Sequence, residues 1–312
     1  DITEWFETVV GVLQVCIFSP ILFNIFLEII MARALCDLEV GAAINGYLIN
    51  NLRFADDIAA TTESEKDLQQ LVDGIVSESV NVEKTEVQHI GPHKRDVGIS
   101  IGNRTLKQVE EFVYLGGTIS EDASTDQDTK RRIGLACGVM QNLNAVWKAK
   151  DITRKTKVKV YESLVCSVLL YNSETWTLKE ATKKKLQVFE MGCLRKIKGV
   201  TRRDKIRNVD IRKELGITTD IVQKIQARRL RYYGHVVRMK AERLPNIALF
   251  GRVHGKRTRG RPKKRWLDNI REDTEEMGIS MVEACRLAAS DRGRWRSSIQ
   301  RLSERGLPSP RH

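Results

Sequence analysis

Apolar residues recur at three- and four-residue spacings through Ser19 to Leu35 (SPILFNIFLEIIMARAL), with Leu22, Ile25, Phe26, Ile29, Ile30 and Ala34 on one side. That pattern predicts a helix burying this face, with Ser19 as N-cap and Pro20 at the first helical position. The period then drops to two. AAINGYLINNLRF and IAATT read as short strands flanking Ala55, Asp56 and Asp57, which places adjacent like charges at the tip of a tight hairpin. In SEKDLQQLVDGIVSES, residues Leu68, Leu71, Val72, Ile75 and Val76 share a helical face behind a start at Ser64 and Asp67 that resembles a capping box. A strand, VNVEKTEVQHI, follows after only Ser77, Glu78 and Ser79, an abrupt junction without glycine. VGISIGNRTLKQVEEFVYLGGTIS predicts a hairpin turning at Gly102 and Asn103, then a strand ending at Gly116 and Gly117.

From Asp126 onward the spacing is helical. One segment carries Ile133, Val139, Met140 and Leu143, and the next Val158, Tyr161, Leu164, Val165 and Val168. RKELGI and IQARRLRYYGHVVRM continue in helices, GRVHGKRTRGRPKKRW has no apolar period, and RWLDNIREDTEEMG resumes a helix. The fold class is therefore α+β to residue 120 and mainly helical beyond, with no internal repeat.

Composition fits a folded globular chain: 312 residues, 41% hydrophobic and 30% charged, are enough for two domains. The apolar run Pro20 to Ile30 is broken by Asn24 and Glu28 and is shorter than the roughly 20 residues of a bilayer span. Neither a membrane nor a small-molecule cofactor is expected as partner. A start without methionine or signal peptide reads as the interior of a longer protein. Cys16, Cys36, Cys137, Cys166, Cys193 and Cys285 form no CxxC pair, which predicts reduced intracellular thiols, nuclear or cytoplasmic, and no structural zinc. His235 and His254 have no cysteine partners at metal spacing. Charge divides the chain: residues 1–120 hold 8 Lys and Arg against 18 Asp and Glu, and residues 121–312 hold 45 against 22. A half with net charge +23 points to a polyanion, because each phosphate neutralised releases counterions. A merely well-solvated basic surface is the plain alternative.

Carboxylates crowded at a hairpin tip repel unless a cation intervenes. Mg²⁺ accepts one or two carboxylates together with water and substrate phosphates, and paired ions can stabilise both oxygens of a phosphoryl transfer. A solvent-exposed Asp-Asp turn without function is the alternative for the triplet alone.

The wider context resembles the later palm motifs of reverse transcriptases of non-LTR (LINE-like) retrotransposons: GVLQVCIFSPILFNIFL, LRFADDIA, VNVEKTEVQHIG and EEFVYLGGTIS occur in that order and spacing. LLYNSETWTL, VFEMGCLRKIKGVTRRDKIRN and RRLRYYGHVVRM resemble the continuation of such polyproteins, so the likeness spans nearly the whole chain. It implies an RNA-directed DNA polymerase fragment with RNA template and DNA primer as partners. Residues 1–120 would be a partial palm, an antiparallel sheet with backing helices. Residues 121–225 would be a helical thumb-like region, and 226–312 a basic carboxy-terminal region. By resemblance, Asp56 and Asp57 are catalytic Mg²⁺ ligands and Lys84 protonates the leaving pyrophosphate. Gln14, Ser19 and Pro20 line the nucleotide and template, and Tyr114, Leu115, Gly116 and Gly117 form the primer grip. A surface lysine at 84 and an edge tyrosine at 114 are the alternatives.

The chain also departs from that family. Leu13 and Val15 stand where the family pattern near GVRQGCxLSP carries arginine and glycine, and Asn172 stands where LYGSETW has glycine. The junction at residues 77–80 lacks a few residues. Nothing before Gly11 resembles FxDxxxAFD, the stretch bearing the first catalytic carboxylate, so the Mg²⁺ site would be incomplete and the chain inactive as a polymerase. The alternative is a non-catalytic nucleic-acid-binding protein that uses its basic half. There Arg259, Gly260, Arg261 and Pro262, followed by Lys263, Lys264 and Arg265, resemble an AT-hook that lays arginines into a narrow minor groove. Nuclear targeting or a solvated linker would use the same residues.

Overall fold

Strand pairing begins after a first helix, α1 (Ser19–Ala34), in a computed structural model that describes residues 16–36, 38–76, 81–91, 94–252 and 262–304. Two units divide the chain. The first holds the described residues through Val109, apart from Ile90 and Gly91, together with residues 250–252; the second holds the rest.

In the first unit, α1 starts one residue earlier than expected: Phe18 takes the cap position, no side chain caps it, and Ser19 lies inside the helix. The expected buried face holds at Ile30 and Ala34 and is corrected elsewhere. Ile30 and Met31 are buried, and Leu27, Ala34 and Leu35 pack beside them, whereas Leu22, Ile25, Phe26 and Ile29 stay 48–59% exposed. The helix is apolar almost all round, so spacing alone could not choose the stripe that meets α2 (Glu65–Val76). Helix α2 starts as expected, with the Ser64 hydroxyl accepting the Asp67 N–H at 3.1 Å. Leu71 and Ile75 join the α1 cluster, and Leu68 and Val72 face a second cluster of Val87, Ile99, Ile101 and Leu106.

Eight short strands of this unit pair in twos, not in one sheet: β1 (Ala42–Ile44) with β2 (Tyr47–Ile49), β3 (Asn51–Phe54) with β4 (Asp57–Ala60), β5 (Glu86–Val87) in parallel with β8 (Lys107–Gln108), and β6 (Ser100–Ile101) with β7 (Arg104–Thr105). Gly102 and Asn103 form the predicted turn between β6 and β7. The long strand expected from Val80 is reduced to β5, because Asn81 diverts the backbone: its side-chain oxygen accepts the Glu83 and Lys84 N–H groups at 3.1 and 3.3 Å. Residues 77–80, the abrupt junction, lie outside the described residues.

The second unit opens with a hairpin of β9 (Glu111–Tyr114) and β10 (Gly117–Ser120), so the chain reverses at the glycines where a strand end was expected. Helices follow: α3 (Asp126–Asn142), α4 (Asn144–Lys148), α5 (Arg154–Val160), α6 (Cys166–Leu169), α7 (Glu180–Lys198), α8 (Asn208–Leu215), α9 (Ile221–Val237), α10 (Leu244–Phe250), α11 (Trp266–Glu276), α12 (Met281–Ser290) and α13 (Arg292–Glu304). A π turn at Tyr161–Val165 joins α5 to α6. The buried stripe runs through it on Val158, Tyr161 and Val165, as expected, and continues to Leu169, whereas the expected Leu164 is 47% exposed.

Two cores sit in this unit. Trp176, Leu186, Leu194 and Ile211 lie in the first, and Leu230, Tyr233, Ile270 and Trp295 in the second. Helix α9 belongs to both, with Ile221 and Ile225 in one and Ala227 onward in the other, so it runs unbroken across residues 225 and 226. Among the described residues, no helix is long and apolar enough to cross a membrane.

Candidate catalytic hairpin and nucleic-acid surface

Asp56 occupies the two-residue turn between β3 and β4, and Asp57 begins β4 directly opposite Phe54. Both aspartates are exposed. Ile58 and Ala60 lie on the opposite face of the ribbon and pack into the α1–α2 cluster, so strand alternation turns Asp57 away from the core. Ala55 takes a φ of 51°, a left-handed conformation costing an L-residue roughly 1–2 kcal/mol, which glycine would avoid. Arg53 anchors the ribbon through Glu28 of α1 at 2.9 Å.

The donor pair suits part of a Mg²⁺ site, since that ion takes one or two carboxylates with water and phosphate oxygens. Among the described residues, no group of three or more His, Cys, Asp or Glu could hold a metal. Lys84 is exposed on the Asn81 turn and shares no hydrogen bond or ion pair with either aspartate. Ser19 and Pro20 form the first turn of α1, whereas Gln14, Leu13 and Val15 lie outside the described residues.

The structure gathers the segments YLGG and YNSETW into one cluster. Leu115 and Gly116 form the β9–β10 turn with φ of 47° and 77°. The Gly116 carbonyl accepts from the Arg131 guanidinium at 3.0 Å and from Arg132, while the Leu115 carbonyl accepts from the Tyr171 hydroxyl at 2.9 Å. Arg132 stacks on the Tyr171 ring, 4.2 Å from its centre. Buried Asp128 accepts the Thr118 N–H at 3.0 Å and the Trp176 indole N–H at 2.7 Å. A side chain at Gly117 would meet the Asn172 amide nitrogen at 2.5 Å, so the Asn172 side chain would have to move aside. Asn172 has a φ of 61°, which explains why it can replace glycine: asparagine tolerates that conformation better than other side chains. Tyr114 is half-buried beside this turn. Sequence reasoning missed Asp128 and Arg132, whose only local signal is their four-residue spacing on α3.

In the basic run, Arg259, Gly260, Arg261 and His254 lie outside the described residues. Pro262 is exposed; the residues after it are tied into the fold. Lys263 donates to the Asp122 carbonyl at 2.9 Å, Lys264 pairs with Glu272 at 2.7 Å, and Arg265 caps α11 through Asp268. Lys183 likewise pairs with Glu180 at 2.7 Å, whereas Lys184 and Lys185 are exposed on α7.

No known protein family matches the chain, and no solved structure matches it. A transposon-derived protein of Caenorhabditis elegans, itself named as uncharacterized, is 28% identical over 275 residues, covering 83% of this chain and 98% of that relative. That likeness supports a transposable-element origin for the chain.

Proposed function

We propose that this chain is a carboxy-terminal portion of a non-LTR retrotransposon reverse transcriptase which, as these 312 residues, binds nucleic acid without polymerising it. The observation that carries the reading is the exposed Asp56–Asp57 tip on a two-residue hairpin whose other face packs on α1 and α2. Asp56 and Asp57 would hold Mg²⁺, and the ion would offset charge on a transferring phosphate. Positioning and charge stabilisation supply nearly all the catalysis of phosphoryl transfer. Two adjacent carboxylates alone do not supply that arrangement.

Nucleic-acid binding by the basic half stands on its charge. Residues 121–312 carry 45 Lys and Arg against 22 Asp and Glu. Filter binding of the chain to an RNA–DNA primer-template over a salt series tests it. Affinity should fall steeply as salt rises, and Asp56→Ala should leave it unchanged. Absence of binding at low salt would remove the reading.

A further inference from the structure

A cleft of about 410 Å³ opens between α7, the turn at Arg202–Asp204 and α8. Lys184, Arg195, Arg202 and Arg212 line it together with the amides of Gln187 and Asn208, and among the described residues no acidic side chain does so. Arg212 is the buried member, 8% exposed. One of its terminal nitrogens donates to Glu190 and lies 3.9 Å from Asp220, but its Nε has no hydrogen-bond partner. Leaving a buried donor unsatisfied costs about 1–3 kcal/mol. Arg195 is held along the wall by the Asn208 side-chain oxygen at 2.6 Å and the Met191 carbonyl at 3.3 Å. Lys184 and Arg202 are exposed at the mouth and carry neither hydrogen bond nor ion pair on their charged ends.

The neighbouring backbone extends this charge. Arg202, Arg203, Lys205 and Arg207 are all exposed, and the one acid among them, Asp204, spends its carboxylate on the Thr201 N–H at 2.6 Å and hydroxyl at 2.9 Å. A row of cations beside a guanidinium-lined cleft matches repeating phosphates better than a single ion, and guanidinium groups pair with phosphate through two parallel hydrogen bonds.

We propose that this cleft seats a backbone phosphodiester of a nucleic-acid strand, with Arg202 and Lys184 at its mouth and Arg195 and Arg212 at its wall. The site rests on the reading that the basic half binds nucleic acid, and it assigns that binding to α7 and α8. Contact is to phosphate, so it does not depend on base sequence.

The test is fluorescence anisotropy of a labelled short DNA duplex titrated with the full chain, with anionic phospholipid vesicles as a parallel arm. Lys184→Ala combined with Arg202→Ala should weaken duplex binding roughly ten- to a hundredfold near 0.1 M salt and flatten the log–log salt slope by about 1.8. A control with the same charge loss at exposed positions outside the cleft, Lys240→Ala with Arg296→Ala, should change both much less. If the unaltered chain binds the duplex but both double variants lose affinity equally, the cleft is an ordinary part of a basic surface and the proposal falls alone. If the unaltered chain binds no duplex, or binds only vesicles, the nucleic-acid reading falls with it.

Discussion

The Tyr171 hydroxyl donates to the Leu115 carbonyl at 2.9 Å, joining two segments 56 residues apart in the chain. This bond and the Arg132 guanidinium together fix the carbonyls of a turn whose two central residues both have positive φ. Tyr171→Phe should cost about 0.5–1.5 kcal/mol, because the ring stays and only one hydrogen bond is lost. Asp128→Ala should cost about 2–4 kcal/mol, since it strands both the Thr118 N–H and the Trp176 indole. Urea midpoints of the two variants check the ranking.

Asn172→Gly should leave stability within about 0.5 kcal/mol, because relief of left-handed strain offsets the entropy gained by the unfolded chain. Asn172→Val should cost at least about 1–2 kcal/mol at that φ of 61°. Thermal melts of both would separate a conformational demand from a side-chain contact.

The hairpin at Asp56 was legible because alternation brackets it on both sides and the turn is too short to hide. The identity of α1's buried face was only partly so, since Leu22, Ile25 and Phe26 compete with Leu27 and Met31 on a helix with few polar positions. Asp128 and Trp176, 48 residues apart, meet only through tertiary packing. No local residue announces the π turn at Tyr161–Val165. Lys264 and Arg265 looked like a free basic run because their partners, Glu272 and Asp268, belong to a helix whose start the sequence did not tie to them.

Cysteine reactivity should divide by position. Hydrogen bonds from the Phe18 backbone and the Ser19 hydroxyl lower the pKa of exposed Cys16, whereas burial raises that of Cys166 and pushes Cys193 up to about 12. Iodoacetamide at neutral pH should therefore label Cys16 well before Cys166 or Cys193 in the folded chain. Peptide mapping against time reads the order.

Arg229 and Asp273 form a buried two-bond ion pair at 2.7 and 2.9 Å. Removing either partner alone should cost about 3–5 kcal/mol, while Arg229→Met with Asp273→Leu should cost far less. Burial outweighs the attraction of Arg229 and raises the Asp273 pKa to about 6 from 3.8. The folded state therefore binds this proton more tightly than the unfolded state. Its contribution to stability is full below about pH 4 and is lost as pH rises through about 6. Denaturant midpoints between those values should fall with rising pH less in Asp273→Asn than in the unaltered chain.

The central claim, nucleic-acid binding without polymerisation, is tested most directly by primer extension on an RNA template with Mg²⁺, under salt conditions where binding is measured in the same samples. The account predicts a bound primer-template and no labelled nucleotide incorporated above the level of Asp56→Ala. Incorporation that disappears in Asp56→Ala would contradict it and show that these 312 residues already assemble a working site.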